Sequence, residues 1–168
     1  PTTTEEFENV LKAFKTMDPN DNGKSDEIPM AGGIQDKFTA VDSFLMNSFI
    51  EHIPSDGQLL FDENGSVDVN FTQPEYKEGL KYLNSLYSQG LIAPESFTIN
   101  NAQLKAMVEN GEPMVGVVSA FVPQVFSDIT GTLWQDFKTV APLKGPSGLQ
   151  ETPYRYYSFV GGNFLITS

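Results

Sequence analysis

Ten consecutive residues, Asp18-Pro19-Asn20-Asp21-Asn22-Gly23-Lys24-Ser25-Asp26-Glu27, restrict the path of this chain more than any other stretch. Side-chain oxygens fall at the first, third, fifth, ninth and tenth positions, with Gly23 at the sixth. Such alternation lets a short loop curl and aim its oxygens at a hard cation, with glycine at the sharpest bend. Asp18, Asn20, Asn22 and Asp26 would supply side-chain oxygens, Lys24 a backbone carbonyl and Glu27 a further carboxylate. The EF-hand pattern then lapses. Its twelfth position, normally a bidentate Glu, is Pro29, so Asp26 and Glu27 would close the site from the other side. An Asx-rich turn is the simpler alternative, because Asn, Asp and Gly fill loops for local reasons. The regular two-residue spacing favours calcium, and Mg²⁺, which demands stricter octahedral geometry, fits less well.

An amphipathic helix leads into this loop. Thr3 is placed to cap it, Glu6 to reach back and complete a capping box, and Phe7, Val10, Leu11, Phe14 and Met17 recur at helical spacing. Beyond the loop, Ile28-Pro29-Met30 reads as an edge strand. Residues 38–53 (Phe38, Val41, Phe44, Leu45, Phe49, Ile53) read as a second helix. Leu59-Leu60-Phe61 and Val67–Phe71 flank Asn64-Gly65, a strong hairpin-turn signal; Val67, Val69 and Phe71 would share one buried face. The strongest helix follows, with Thr72 as cap, Pro74 in the first turn and Glu75 closing a second capping box. Tyr76, Leu80, Leu83 and Tyr87 line one face beside Leu86, and Gly90 supplies a left-handed stop on which Leu91 can fold back. Asn101–Asn110 reads as a weaker helix, Met114–Val118 as a short buried strand and Pro123–Phe126 as a helical turn. Phe137–Ala141 and Ser158–Ile166 are further strand candidates, with Pro142–Gly148 a loop between them. Intermixed helices and strands indicate an α/β or α+β class with one main sheet.

The 168 residues suffice for one domain with a sizeable core, residues 1–168. The net charge of −12, of which the loop holds −3 (four carboxylates, Asp18, Asp21, Asp26 and Glu27, against Lys24), is spread without a basic stripe. Binding to a phosphate backbone or an anionic membrane is therefore not expected. With no cysteine, disulfides, thiolate-held zinc and thiol catalysis are excluded. No apolar run is long enough to span a bilayer and no signal peptide is visible. The sequence opens on a helix cap without an initiator Met, which reads as a piece excised from a longer protein.

Several segments, taken in order, resemble the extracellular solute-binding proteins of bacterial ABC transporters (family 1), and within them the lipoprotein-type, carbohydrate-binding group. These are residues 18–29, the helix Gln73–Tyr87 with Gly90-Leu91-Ile92, Ala141–Pro146, and Gly162-Asn163-Phe164-Leu165-Ile166. The resemblance implies one lobe, the second, of a type II periplasmic-binding-protein-like fold. That lobe has a central mixed sheet flanked by helices, and both termini lie near the inter-lobe hinge. It implies a structural calcium ion on Asp18, Asn20, Asn22, Lys24, Asp26 and Glu27. The implied partners are a carbohydrate ligand, the permease subunits and the first lobe of the same protein. The implied location is extracellular, with a lipid anchor on the full-length protein.

Sugar sites pair aromatic platforms with converging hydrogen bonders. Phe121, just past the buried strand, matches where that family places an aromatic at its cleft. Trp134, the only tryptophan, and the cluster Tyr154, Arg155 and Tyr156 are the other ligand candidates. Burial in the core is the competing use for each of them. His52, the only histidine, has no matched nucleophile and reads as a surface or helix-end residue rather than a catalytic base. Two other functions remain open at this level: a secreted carbohydrate-active enzyme domain using two carboxylates, and a calcium-dependent adhesion module.

Overall fold

The computed structural model describes residues 1–52, 59–61, 64–110 and 114–152, with 59–61 by backbone alone. The elements are α1 (Thr4–Thr16), β1 (Ile28–Ala31), α2 (Asp42–Leu45), β2 (Leu59–Phe61), β3 (Val67–Val69), α3 (Pro74–Ser88), α4 (Asn101–Glu109) and β4 (Val115–Val118). β1 and β4 pair in parallel, Met30 opposite Val117, and β2 and β3 form a separate antiparallel hairpin. Among the described residues there are thus two small sheets, not one central mixed sheet. Pro29 cannot donate to a ladder, which suits a strand that, among the described residues, is paired on one side. The strand candidate Ser158–Ile166 lies outside the described residues.

β1 separates two apolar cores. Met30 joins Phe7 and Leu11 of α1, Val41 and Leu45, Leu86 of α3, Leu91, Ile92 and Leu143. Ala31 joins Leu104 and Val108 of α4, Ile99, Val115 and Phe126. Helices therefore cover both faces, as a short parallel pair requires because its strands expose apolar residues on each side. Gly116 of β4 admits the ring of Phe14, which lies where a Cβ would stand, about 2.8 Å away.

The ends of the helices differ in detail from the sequence reading. Thr3 Oγ1 accepts from the Glu6 N–H at 3.1 Å as expected, but the Glu6 carboxylate reaches one residue further back, to the N–H (2.7 Å) and hydroxyl (2.9 Å) of Thr2. Those bonds hold Glu6 below the usual carboxylate range. The stripe on α1 is narrower than the spacing suggested: Val10 and Met17 are exposed. On α3 the cap is Gln73 without a side-chain bond, because Thr72 instead donates its hydroxyl to Val69 O in a preceding 3₁₀ turn. Glu75 therefore closes no box. The buried face of α3 runs through Gly79 and Leu86 with Tyr82 and Leu83 partly covered, and leaves Leu80 and Tyr87 exposed. Its C-terminus closes as expected: Gly90 has φ +65°, its N–H donates to Tyr87 O, and Leu91 N–H donates to Leu86 O. The unforeseen complete capping box is on α4, between Asn100 and Gln103.

The continuous helix expected over 38–53 is broken. Asp36 turns the backbone by accepting from the Phe38 N–H, and α2 gives way after Leu45 to a 3₁₀ turn, Met46–Ser48. Asn47 helps end it, since its amide donates to Ser43 O and its Oδ1 accepts from the His52 N–H. Val67 and Phe71 are exposed, so the hairpin does not bury the face their alternation suggested. Residues 137–141 carry no strand; what pairs instead is Lys144, bridged in parallel to Thr3. His52 is not at the surface. It is 1% exposed, with Nε2 3.5 Å from Asp42 Oδ2 and its ring against Tyr76. No helix among the described residues is long and apolar enough to cross a membrane.

Candidate functional site

The two parallel strands end side by side, and the loops leaving their C-terminal ends carry two exposed aromatics, Phe38 and Phe121. β1 runs into Gly32-Gly33, and the following turn is closed by Gly33 N–H donating to Thr39 O, which raises Phe38 at its tip. β4 runs into Ser119, whose N–H bonds Ala31 O and whose hydroxyl bonds Ala40 O, and the next turn presents Phe121. The two rings meet edge to face, centroids 5.9 Å apart at 61°, although Phe38 is 42% and Phe121 52% exposed. An aromatic pair left in water at the C-terminal ends of parallel strands stands where open α/β sheets receive ligands.

Both rings line a groove of about 1400 Å³ that also takes in β4 and the turn Leu133–Asp136. That exceeds the roughly 300–1,000 Å³ of a site for a drug-sized ligand, so there is room for a larger molecule. Trp134 lies on its wall, packed against the second core. Its indole N–H is shielded from solvent and has no acceptor. Ser43, Asn47, Gln135 and Asp136 add polar groups. The structure thus brings Phe121 and Trp134 to one groove. Tyr154, Arg155 and Tyr156 lie outside the described residues. Phe38 was missed from sequence because its spacing fitted the core face of a helix; the Gly32-Gly33 pair and Asp36 were the signals that a turn intervenes.

The acidic loop folds around its own backbone. Asp18 accepts from the N–H groups of Asn22 (3.0 Å) and Gly23 (2.7 Å), and Asn20 Oδ1 also accepts from the Asn22 N–H. Asn22 Oδ1 accepts from the Lys24 N–H at 2.8 Å, and its Nδ2 donates to Asp26 Oδ1 at 3.2 Å. Asp21 at φ +55° and Gly23 at φ +74° make the bends. With Asp18 and Asp26 so engaged, no group of three or more His, Cys, Asp or Glu residues that could hold a metal is found among the described residues. The expected convergence of carboxylates is therefore absent. One observation nevertheless fits a cation: both carboxylate oxygens of Glu27 are shielded from solvent and lack any hydrogen-bond partner. A buried, unpaired carboxylate is costly, and a hard cation is the group that would relieve it.

No protein-family model matches the chain. It is 38% identical over 100 residues to the fructooligosaccharide ABC transporter substrate-binding protein FusA of Streptococcus pneumoniae, covering 58% of this chain and 18% of that protein. It is 26% identical over 162 residues to lipoprotein LipO of Bacillus subtilis, covering 94% of this chain and 32% of that protein. The structure of FusA in complex with kestose superposes with a TM-score of 0.73 at 30% identity, over 89% of this chain and 29% of that one. The chain is related to the substrate-binding proteins of ABC transporters. An extracellular solute-binding protein from Bifidobacterium longum subsp. infantis also superposes, with a TM-score of 0.70 at 34% identity over 87% of this chain and 30% of that one. A FusA EF-hand mutant in complex with fructo-nystose gives 0.71 at 28% identity over 89% of this chain and 29% of that one. The chain spans about a fifth to a third of the length of these substrate-binding proteins. Such proteins are not enzymes.

Proposed function

We propose that this chain is the second lobe of a two-lobe extracellular substrate-binding protein that captures a sugar or oligosaccharide for import by an ABC transporter. The supporting observation is the trio Phe38, Phe121 and Trp134 lining one large groove beside β4. Aromatic faces stack on the C–H faces of sugar rings. A first lobe closes over the ligand, which favours the closed arrangement by touching both lobes at once. Tyr154, Arg155 and Tyr156 belong to the same proposed site on sequence grounds. Permease subunits, and a lipid anchor on the full-length protein, complete the assignment. Asp18, Asn20, Asn22, the Lys24 carbonyl, Asp26 and Glu27 would hold a structural calcium ion. When bound, that ion supplies positive charge to neutralise the buried Glu27 carboxylate and fixes the handover from α1 to β1.

A panel of mono- and oligosaccharides, screened by thermal shift on a protein carrying both lobes, tests this reading. Stabilisation by at least one neutral oligosaccharide, without turnover, is expected. Cleavage of any glycan would transfer the groove to an enzyme. Retention on cell-wall material that chelator abolishes would transfer the loop to an adhesion module.

A further inference from the structure

The chain holds five methionines, and the fold sorts them by access to solvent. Met30 and Met46 are each 1% exposed. Met30 sits in the first core, and the Met46 thioether lies against Gly79 of α3. Met107 is partly buried on the second core. Met17 and Met114 are open, at 65% and 43%. A thioether carries no proton that titrates near neutral pH, so access of an oxidant, not charge state, decides which of the five reacts.

The two open residues differ in position. Met17 ends α1, where its N–H donates to Ala13 O, and the acidic loop follows. Met114 directly precedes β4, and its carbonyl accepts the Ile28 N–H at 2.9 Å, which holds its backbone beside the start of β1. It lines the same groove as Phe121, which follows the other end of β4. Added polarity at Met17 meets water, whereas at Met114 it alters a groove wall. A peroxide supplies that polarity. The sulfur lone pair attacks one peroxide oxygen, an S–O bond forms as the O–O bond breaks, and the second oxygen leaves with both protons as water. Sulfur gives up two electrons and hydrogen peroxide takes them. The flexible apolar thioether becomes a polar, chiral sulfoxide, which sulfoxide reductases convert back.

We propose that Met114 is a site of reversible oxidation by peroxides, through which the polarity of the groove wall, and with it ligand capture, responds to oxidant. The effect on capture rests on the sugar-binding reading; the modification itself does not. The test is a time course in hydrogen peroxide, followed at each methionine by peptide mapping with mass spectrometry. Met17 and Met114 are expected to react at least roughly tenfold faster than Met30 and Met46, the factor imposed by a local opening that costs about 1.4 kcal/mol. In concentrated denaturant the rates should converge. Affinity for a neutral oligosaccharide is then compared before and after oxidation in the protein carrying both lobes. It should fall at least about threefold in wild type and in Met17→Leu, the scale of losing roughly one buried methylene, and recover with methionine sulfoxide reductases. Met114→Leu should show no difference between its own oxidised and untreated forms. Met114 reacting as slowly as Met30 and Met46 in the folded chain, or a gap that persists in denaturant, would overturn the modification. A wild type that loses no affinity, or a Met114→Leu that loses as much as wild type, would overturn the role in capture. A protein that binds no oligosaccharide before oxidation would instead overturn the sugar-binding reading, and the peptide map would still decide the modification.

Discussion

Glu27 carries two shielded carboxylate oxygens with no partner, and a single residue thereby makes the calcium proposal testable. Without a cation the unpaired charge costs free energy, so Glu27→Gln should leave the melting temperature unchanged or raise it in chelator. With calcium the order should reverse. Wild type should gain stability as the logarithm of ion concentration, about 2.7 kcal/mol at a hundredfold excess over Kd. Glu27→Gln and Asp18→Ala should respond little. A wild-type melting curve identical in calcium and chelator would remove the ion from the account. The candidate donors were named from local spacing alone. How they point was not legible, since Asp18 and Asp26 spend their oxygens on backbone and amide N–H groups of the same loop. Nor could sequence show that His52 is buried: its neighbours Asp42, Asn70 and Tyr76 come from separate segments.

At the level of elements, α1, α3, α4, the hairpin pairing and β4 followed from periodicity and punctuation, because the signals that start and stop them are local. The segment 38–53 was misread for a physical reason. Its apolar spacing is helical, but Asp36, Ser43 and Asn47 bond the backbone with their side chains and break the ladder. The exposed positions on α3 were missed because its burial is set by what packs on it, with Met46 lying against Gly79. Gly90→Ala should destabilise by about 1–2 kcal/mol in chemical denaturation, since an L residue resists the left-handed cap. The added methyl would also crowd Lys15 Nζ, which bonds Gln89 O at 2.6 Å. A loss below the error of the measurement would show that the cap is not closed as described.

Two contacts between helices contribute to the pH dependence of the molecule's stability. Tyr82 of α3 donates its hydroxyl to Thr4 O of α1 at 2.8 Å, and burial, with the nearby Glu8 charge, holds its phenol well above the ordinary range. The unfolded state releases that proton near pH 10 and the folded state does not, so stability should fall as pH rises above roughly 10. Glu8 is shifted the other way by hydrogen bonds from Lys12 and Gln89. Its contribution, present above the usual carboxylate range of roughly 4, is lost as pH falls through its lowered folded value. Melting temperature against pH should therefore decline at both ends, and Tyr82→Phe should flatten the alkaline limb; an alkaline limb that survives in Tyr82→Phe would assign it elsewhere.

The α/β class and the relation to substrate-binding proteins were legible from ordered motifs. The groove was not, because Phe38 and Phe121 lie far apart in sequence and meet only when β1 and β4 pair. Trp134 is the only tryptophan in the protein and lies on that groove, so its fluorescence reports directly on the proposed ligand site. Titration with neutral oligosaccharides should move its emission saturably, with tighter binding when the first lobe is fused. Phe121→Ala should weaken binding by at least about tenfold, the scale of losing one aromatic anchor. Emission that no oligosaccharide moves, in the single lobe and in the two-lobe protein alike, would contradict the assignment of this groove to sugar capture.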